Sequence, residues 1–226
     1  SWVIPSGSSS QDVRLDAPQA DEELQTILTA ASLTLALERD GADAPQDYVA
    51  AARADYRRLL TGLYAEGFYG GTISILIDGI EASGIDPLVP RSSVGSVVLS
   101  VTPGPRFTFG RADIEPLARG TQMPEAFATG NTARSDDISD AASAAVVGWR
   151  NAGHPLAQTD GQTITARHDD EKLDVAIVIA PGPELRFGNV VVTGNDAVRT
   201  DRVRAIAGLP TGTFDPDAIV RAEANL

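Results

Sequence analysis

The sequence contains no cysteine, which removes disulfides, thiolate metal sites and thiol nucleophiles together. Histidine is nearly as scarce: His154 and His168 are the only two, too few for a multi-histidine metal centre. Basic residues are also outnumbered. Lys and Arg total 18 against 31 Asp and Glu, a net charge of −13. That balance disfavours nucleic acid and anionic membrane surfaces, both of which select basic patches. No apolar run approaches the ~20 residues that a membrane-spanning helix needs. Ser1-Trp2-Val3-Ile4-Pro5 lacks the basic start and long apolar segment of a secretory signal, so the chain reads as a mature protein or a fragment.

What the chain does contain is a repeat. Thr102-Pro103-Gly104-Pro105-Arg106-Phe107-Thr108-Phe109-Gly110 returns as Ala180-Pro181-Gly182-Pro183-Glu184-Leu185-Arg186-Phe187-Gly188, at an offset of 181 − 103 = 78 residues. Each copy follows a β-rich run, Val97–Val101 and Val175–Ile179. A Pro-Gly-Pro break between apolar alternations reads as the seam from one strand to the next. A fixed period reads as a repeated small domain. At 226 residues the chain is long enough for two or three such domains.

Residues 1–11 end in Gly7-Ser8-Ser9-Ser10-Gln11 and read as a flexible leader. Asp12–Asp16 alternates as a short strand. Leu24, Ile27, Leu28, Ala31 and Leu35 then fall at helical spacing, predicting one helix from Asp21 to Gly41 with acids at its positive end. A second helix is expected from Asp47 to about Glu66, its buried stripe made of Val49, Ala52, Tyr56, Leu59, Leu60 and Leu63. Thr72–Asp78 and Val94–Val101 are expected strands, joined by a long loop over 79–93. The order is strand, helix, helix, strand, strand.

The second repeat follows the same order. It predicts a strand over Phe107–Ile114 and a short or irregular first helix near Pro124–Phe127. A strong helix carries Ile138, Ala141, Ala142, Ala145, Val146 and Trp149, and strands follow near Gln162–Arg167 and Leu173–Ile179. A third repeat begins at 183 with a strand over Leu185–Thr193. It continues with a short helix over Asp201–Ala207 and another from Asp217, and is incomplete. The expected domains are therefore 12–104, 105–182 and 183–226.

This tandem β-α-α-β-β unit resembles the POTRA (polypeptide-transport-associated) domain of the Omp85 superfamily of outer-membrane assembly proteins. The residues that carry the resemblance are Glu66-Gly67-Phe68-Tyr69, Ala152-Gly153-His154-Pro155, the two Pro-Gly-Pro seams, and Val190-Val191-Val192-Thr193-Gly194-Asn195. The array is most similar to the TamA-type (translocation and assembly module) subfamily. The resemblance implies an α+β fold in which two helices pack on one face of a three-stranded mixed sheet. It implies a periplasmic location in a Gram-negative cell and tethering to the outer membrane by a C-terminal β-barrel of the same chain. The implied partners are unfolded outer-membrane or autotransporter clients and an inner-membrane partner of TamB type, with no cofactor, metal or catalytic residue.

A sheet edge that offers unpaired N–H and C=O groups can take an incoming chain as an added strand, with affinity carried by backbone and loose sequence preference. The resemblance implies that the strand after the second helix of each unit lies at the sheet edge, so the candidate client-binding edges are Thr72, Ile73, Ser74, Ile75, Leu76 and Ile77, and Gln162, Thr163, Ile164 and Thr165. Ile73, Ile75 and Ile77 alternate as core positions as well, which is compatible because strand addition uses the backbone. The seams Pro103, Gly104, Pro105, Pro181, Gly182 and Pro183 are expected to limit hinge motion, since proline fixes φ.

Other features read as structural. Phe68-Tyr69 packs the helix exit, His154 belongs to a turn, His168 is solvated, and Arg57-Arg58 is a solvated helix face. Asp169-Asp170-Glu171 lacks the ligand spacing of a calcium loop. Gly67–Gly71 runs from helix into strand, the reverse of a phosphate loop. An enzyme with acidic residues in a cleft is the rival from another class, and no Ser/His/Asp arrangement in motif context supports it. A general barrel-assembly pore, a two-partner secretion pore and a purely structural scaffold are the remaining alternatives.

Overall fold

The computed structural model of the chain describes residues 11–188 together with Gly212, Thr213, Asp215, Asp217 and Arg221. The leader expected over 1–11, apart from Gln11, and most of the third repeat, including Val190–Asn195 and the helix expected over Asp201–Ala207, lie outside the described residues. The chain divides into two compact units. The first runs to Thr108 and takes in Thr132–Ser135 and His168–Glu171; the second holds the remainder.

The first unit is built on a sheet of four strands in the order β1-β4-β2-β3. Strand β1 (Asp12–Asp16) runs parallel to β4 (Ser96–Thr102), and β4 runs antiparallel to β2 (Thr72–Ile77). The sheet is therefore mixed, as expected, and carries a fourth strand beyond the expected three. Ile75, Ile77, Val97, Leu99 and Val101 form its buried face, against Leu24, Leu28, Tyr48, Val49, Ala52, Leu59 and Leu63 from the helices. Their period-two and period-3.6 spacings bring the two apolar faces together.

The single helix expected over 21–41 is two. Helix α1 (Glu22–Ala31) stops at Ser32, and α2 (Leu33–Arg39) begins there. Ser32 caps α2 by accepting the Leu35 N–H at 3.1 Å. The break is made by Asp55, from helix α3 (Pro45–Ala65). Its carboxylate accepts the Ser32 hydroxyl at 2.7 Å and the N–H groups of Leu33 and Thr34 at 2.8 and 3.0 Å. A buried acid at the positive end of α2 thus satisfies donors that a continuous helix would have spent internally. Arg58 is more than a solvated face: its Nε donates to the Ala31 carbonyl at 2.6 Å and closes the C-terminal end of α1.

The loop expected over 79–93 also carries structure. Strand β3 (Ile80–Glu81) folds back on β2, followed by a 3-10 turn over Ala82–Gly84. Asp78 and Gly79 take left-handed φ of 49° and 80°, the geometry of a tight two-residue hairpin.

In the second unit, β5 (Thr108–Glu115), β7 (Lys172–Ala180) and β6 (Gln158–Arg167) form a sheet in the order β5-β7-β6. Helix α4 (Ser135–Asn151) buries Ile138, Ala141 and Ala145. The short or irregular first helix expected near Pro124–Phe127 is an irregular segment without a helix. Its turn is closed by Phe127 N–H on the Pro124 carbonyl at 3.2 Å, and the Phe127 ring meets Phe109 edge-on. Glycine marks the substitution of loop for helix. Gly62, five residues before the α3 exit glycine, receives Ile27 and Leu28 of α1; Gly148, five before the α4 exit glycine, receives Thr121 of the irregular segment. The segment occupies the seat that a helix holds in the first unit.

Candidate functional site

Two sheet edges are the candidate sites, and the structure treats them differently. Among the described strands, β6 pairs with β7 alone and forms the border of its sheet. Ladder pairing aligns Gln162, Ile164 and Ala166 with Ile177, Val175 and Leu173. Those three β7 residues are buried, so this is the core side of the sheet. Thr163 and Thr165 lie on the opposite side, beside Ala176 and Asp174. Nearly the whole of β6 is exposed, and Ile164 retains 43% of its surface on the side that should be buried. The register slips between Thr159 and Gly161, so Asp160 is the extra residue of a bulge that bends the near end of the strand. The straight remainder, Gly161–Arg167, holds Gln162, Thr163, Ile164 and Thr165.

The other edge is covered. Strand β2 is not the outermost of its sheet, because β3 pairs Glu81 with Leu76 and Ile80 with Ile77. This corrects the expectation that Thr72–Ile77 stands open, and a tight hairpin is the cause. Beyond the hairpin the Glu81 carboxylate continues the cover. It accepts the Ile75 N–H at 3.0 Å, the Ser74 hydroxyl at 2.8 Å and the Tyr56 hydroxyl. The Tyr56 hydroxyl oxygen, whose proton goes to Glu81, also lies 3.3 Å from the Ile75 carbonyl oxygen. The Tyr56 hydroxyl, then the Ile75 N–H, hold the Glu81 carboxyl below the usual glutamate range, against an opposing effect of burial. Burial and the facing Glu81 push the Tyr56 phenol up. Arg53 Nη1 donates to the carbonyls of Ala82, Ser83 and Ile85 at 3.3, 3.0 and 2.8 Å. Sequence reasoning missed Glu81 and Arg53 and placed Tyr56 only in the buried stripe of its helix, although Asp78-Gly79 between Ile77 and Ile80 was the available hairpin signal.

The two seams share one geometry. Helix α3 ends with Phe68 N–H on the Leu63 carbonyl and Gly67 N–H on that of Tyr64; α4 ends with His154 N–H on Trp149 and Gly153 N–H on Arg150. Gly67 and Gly153 sit at φ 84° and 94°, completing a helix stop that a side chain would strain. The carbonyl of each exit glycine then accepts the N–H of the second residue beyond the seam, Phe107 on Gly67 and Leu185 on Gly153, both at 2.8 Å. Gly104 and Gly182 take φ 72° and 70°, and a side chain on Gly104 would meet the Gly70 carbonyl oxygen at 3.1 Å. Pro103, Pro105, Pro181 and Pro183 flank those turns. The next strand opens alike too: Phe109 N–H bonds the Asn131 carbonyl, and Phe187 N–H that of Gly212.

Both histidines belong to these corners. His154 Nδ1 lies 2.9 Å from the Gly182 carbonyl oxygen and its ring is edge-on to Trp149. His168 is exposed at its turn but stands edge-on to Phe107 at 5.4 Å. Tyr69 stacks on Tyr64 and meets Phe107. Among the described residues no group of three or more His, Asp or Glu could hold a metal ion, and no helix is long and apolar enough to cross a membrane.

No protein-family model matches the sequence, and no curated protein matches it. Solved structures do. The chain is similar to POTRA3-5 of Haemophilus influenzae BamA, with a TM-score of 0.50 and 14% identity over 99% of this chain and 87% of that one. It also aligns with POTRA1-2 of Omp85 from Anabaena, at TM-score 0.40 and 14% identity over 76% of this chain and 94% of that one. The N-terminal domain of Omp85 from Thermosynechococcus elongatus aligns at TM-score 0.39 and 16% identity over 95% and 83%. The fold is that of tandem POTRA-like units in the α+β class.

Proposed function

We propose that this chain is the periplasmic POTRA region of an Omp85-type outer-membrane assembly protein, and that it receives unfolded β-rich clients by strand addition. The carrying observation is β6, a border strand exposed along nearly its whole length and paired on one side only among the described strands. An added strand would complete the hydrogen bonds of its outer side. It would also cover Ile164, a gain of about 1 kcal/mol at ordinary transfer values. Backbone recognition suits clients that share β-strand character and little sequence. No chemistry or cofactor enters this reading.

In this reading the repeats span 12–104, 105–182 and 183 onward, and the seams fix where each opening strand starts. The TamA-like subfamily, with autotransporter clients, a TamB-type partner and a C-terminal barrel, is the finer form of the proposal and is supported by the sequence resemblance. The fold likeness to a BamA repeat array supports a second form, the POTRA arm of a general barrel-assembly pore.

The test is backbone-amide NMR of the chain titrated with a soluble decapeptide alternating Thr and Val. Shifts should concentrate on Gln162–Arg167. Their absence at about 1 mM peptide, the weak end of specific association, refutes client reception at this edge.

A further inference from the structure

The cover on β2 is held in an unusual way. Backbone pairing is confined to Leu76 with Glu81 and Ile77 with Ile80. From there on, side chains stand in for a strand. The Glu81 carboxylate accepts the Ile75 N–H, and the Tyr56 hydroxyl, whose proton goes to Glu81, stands 3.3 Å from the Ile75 carbonyl oxygen. These are the donor and the acceptor that a neighbouring antiparallel strand would engage at that residue. Farther along, Ala82 and Ile85 are buried with the core while the Arg53 guanidinium gathers their carbonyls and that of Ser83. A carboxylate, a phenol and a guanidinium therefore imitate an added strand.

An imitation differs from a ladder in how easily it exchanges. The strap fixes β2 at two paired positions and one carboxylate, whereas β4 on the other side pairs all of Thr72–Ile77. An extended segment entering along β2 would replace side-chain contacts with a longer run of backbone bonds. It would put apolar side chains where Ala82 and Ile85 now sit and polar ones beside Ser74. We infer that the Ile80–Ile85 strap is a displaceable internal occupant of a second strand-acceptor edge, and that it gives way to an extended segment of alternating polar and apolar residues pairing along Thr72–Ile77. This rests on the strand-addition reading but concerns a different edge, closed in the resting chain. Because the strap is tethered to β2 by a two-residue turn, its effective concentration there is high, and a free segment competes poorly until the strap is loosened.

The experiment uses the whole chain and the same Thr/Val decapeptide. In the double variant Arg53→Ala/Glu81→Ala, the Ile75 amide should exchange with solvent about tenfold faster or more, the loss of a bond to a charged acceptor, while Leu24 and Leu59 amides hold their native rates. In a second variant, with residues 80–85 replaced by alternating Gly and Ser, the peptide should shift Ile73–Ile77 amides at concentrations that leave them unmoved in the native chain. Unchanged Ile75 exchange in the double variant overturns the inference, whether or not the second variant folds. So does silence at Ile73–Ile77 in a Gly/Ser variant with native core signals. Shifts at Gln162–Arg167 are read from the same spectra, and their loss would count against β6 alone.

Discussion

Asp55 offers the sharpest test of how the first unit is held together. Its side chain is fully buried, at 0% exposure, and accepts three hydrogen bonds where α1 gives way to α2. Replacing it with alanine leaves the Ser32 hydroxyl and the Leu33 and Thr34 N–H groups without that acceptor. Bonds to a charged acceptor contribute roughly 1.5–3 kcal/mol each. Removal of the buried charge itself recovers part of its desolvation cost, so the net loss for Asp55→Ala should be about 3–4 kcal/mol. Asp55→Asn keeps one acceptor oxygen and should lose about half as much, since its amide cannot accept from the same donors. The readout is native-state amide exchange at Leu24, Leu28 and Leu59, which reports opening of the first unit separately from the second. A loss of about 3 kcal/mol is an acceleration of about 150-fold. Ser32→Ala, combined with Asp55→Ala, should show a coupling energy above about 1 kcal/mol. An acceleration below about fivefold in Asp55→Ala would refute the reasoning, and would mean that packing of Leu24, Leu28 and Thr34 holds the junction alone.

Two further outcomes follow from the described contacts. Gly71→Ala should destabilise the first unit by about 2 kcal/mol, because a side chain there meets Leu63 Cδ1 at 2.8 Å and the carbonyl oxygens of Thr102 and Pro103 at 3.1 Å; chemical denaturation checks this against Gly84→Ala, where nothing lies within 4 Å. The Glu81 carboxyl is held below the usual range in the folded chain, so its contribution to strap stability is present above the ordinary glutamate pKa and is lost as pH falls through the lowered value. Carboxyl-carbon NMR should show that titration moving upward in Tyr56→Phe, since the phenol is the largest cause of the lowering.

The sequence was legible where periodicity alone decides. Of the stripe Val49, Ala52, Tyr56, Leu59, Leu60 and Leu63, all but the half-buried Tyr56 and Leu60 are buried, and the alternation of Leu173, Val175, Ile177 and Ile179 is buried throughout. The 78-residue echo likewise located two seams whose hydrogen bonds match. What stayed hidden depended on partners far along the chain. Ser32 sits inside a good helical pattern and breaks it only because Asp55, 23 residues on, takes its hydroxyl. The irregularity near Pro124 was legible in its glycines and prolines, but its seat against α4, where Gly148 admits Thr121, was not. The cover on β2 was missed for a different reason: the Asp78-Gly79 turn was in view, but the 79–93 stretch reads as loop by composition, and the groups that tie it down lie on α3. For the candidate site, both edges were named from the family resemblance, in which the strand after the second helix borders the sheet; that holds for β6 among the described strands, whereas the closure of β2 was not legible.

The bond from each exit glycine to the residue beyond the seam has a consequence for cutting and splicing the chain. A piece ending at Gly104 would lose the Phe107 N–H that the Gly67 carbonyl accepts, and with it the fully buried Phe107 ring against which Tyr69 packs. Phe107 lies in the first compact unit although it follows the seam, so that unit reaches past its Pro-Gly-Pro turn. The natural unit of deletion is then a full period taken from inside the echo, such as 107–184. Removing it would bring Leu185 to the residue after Arg106, where its N–H has the same backbone place before the Gly67 carbonyl that Phe107 now holds.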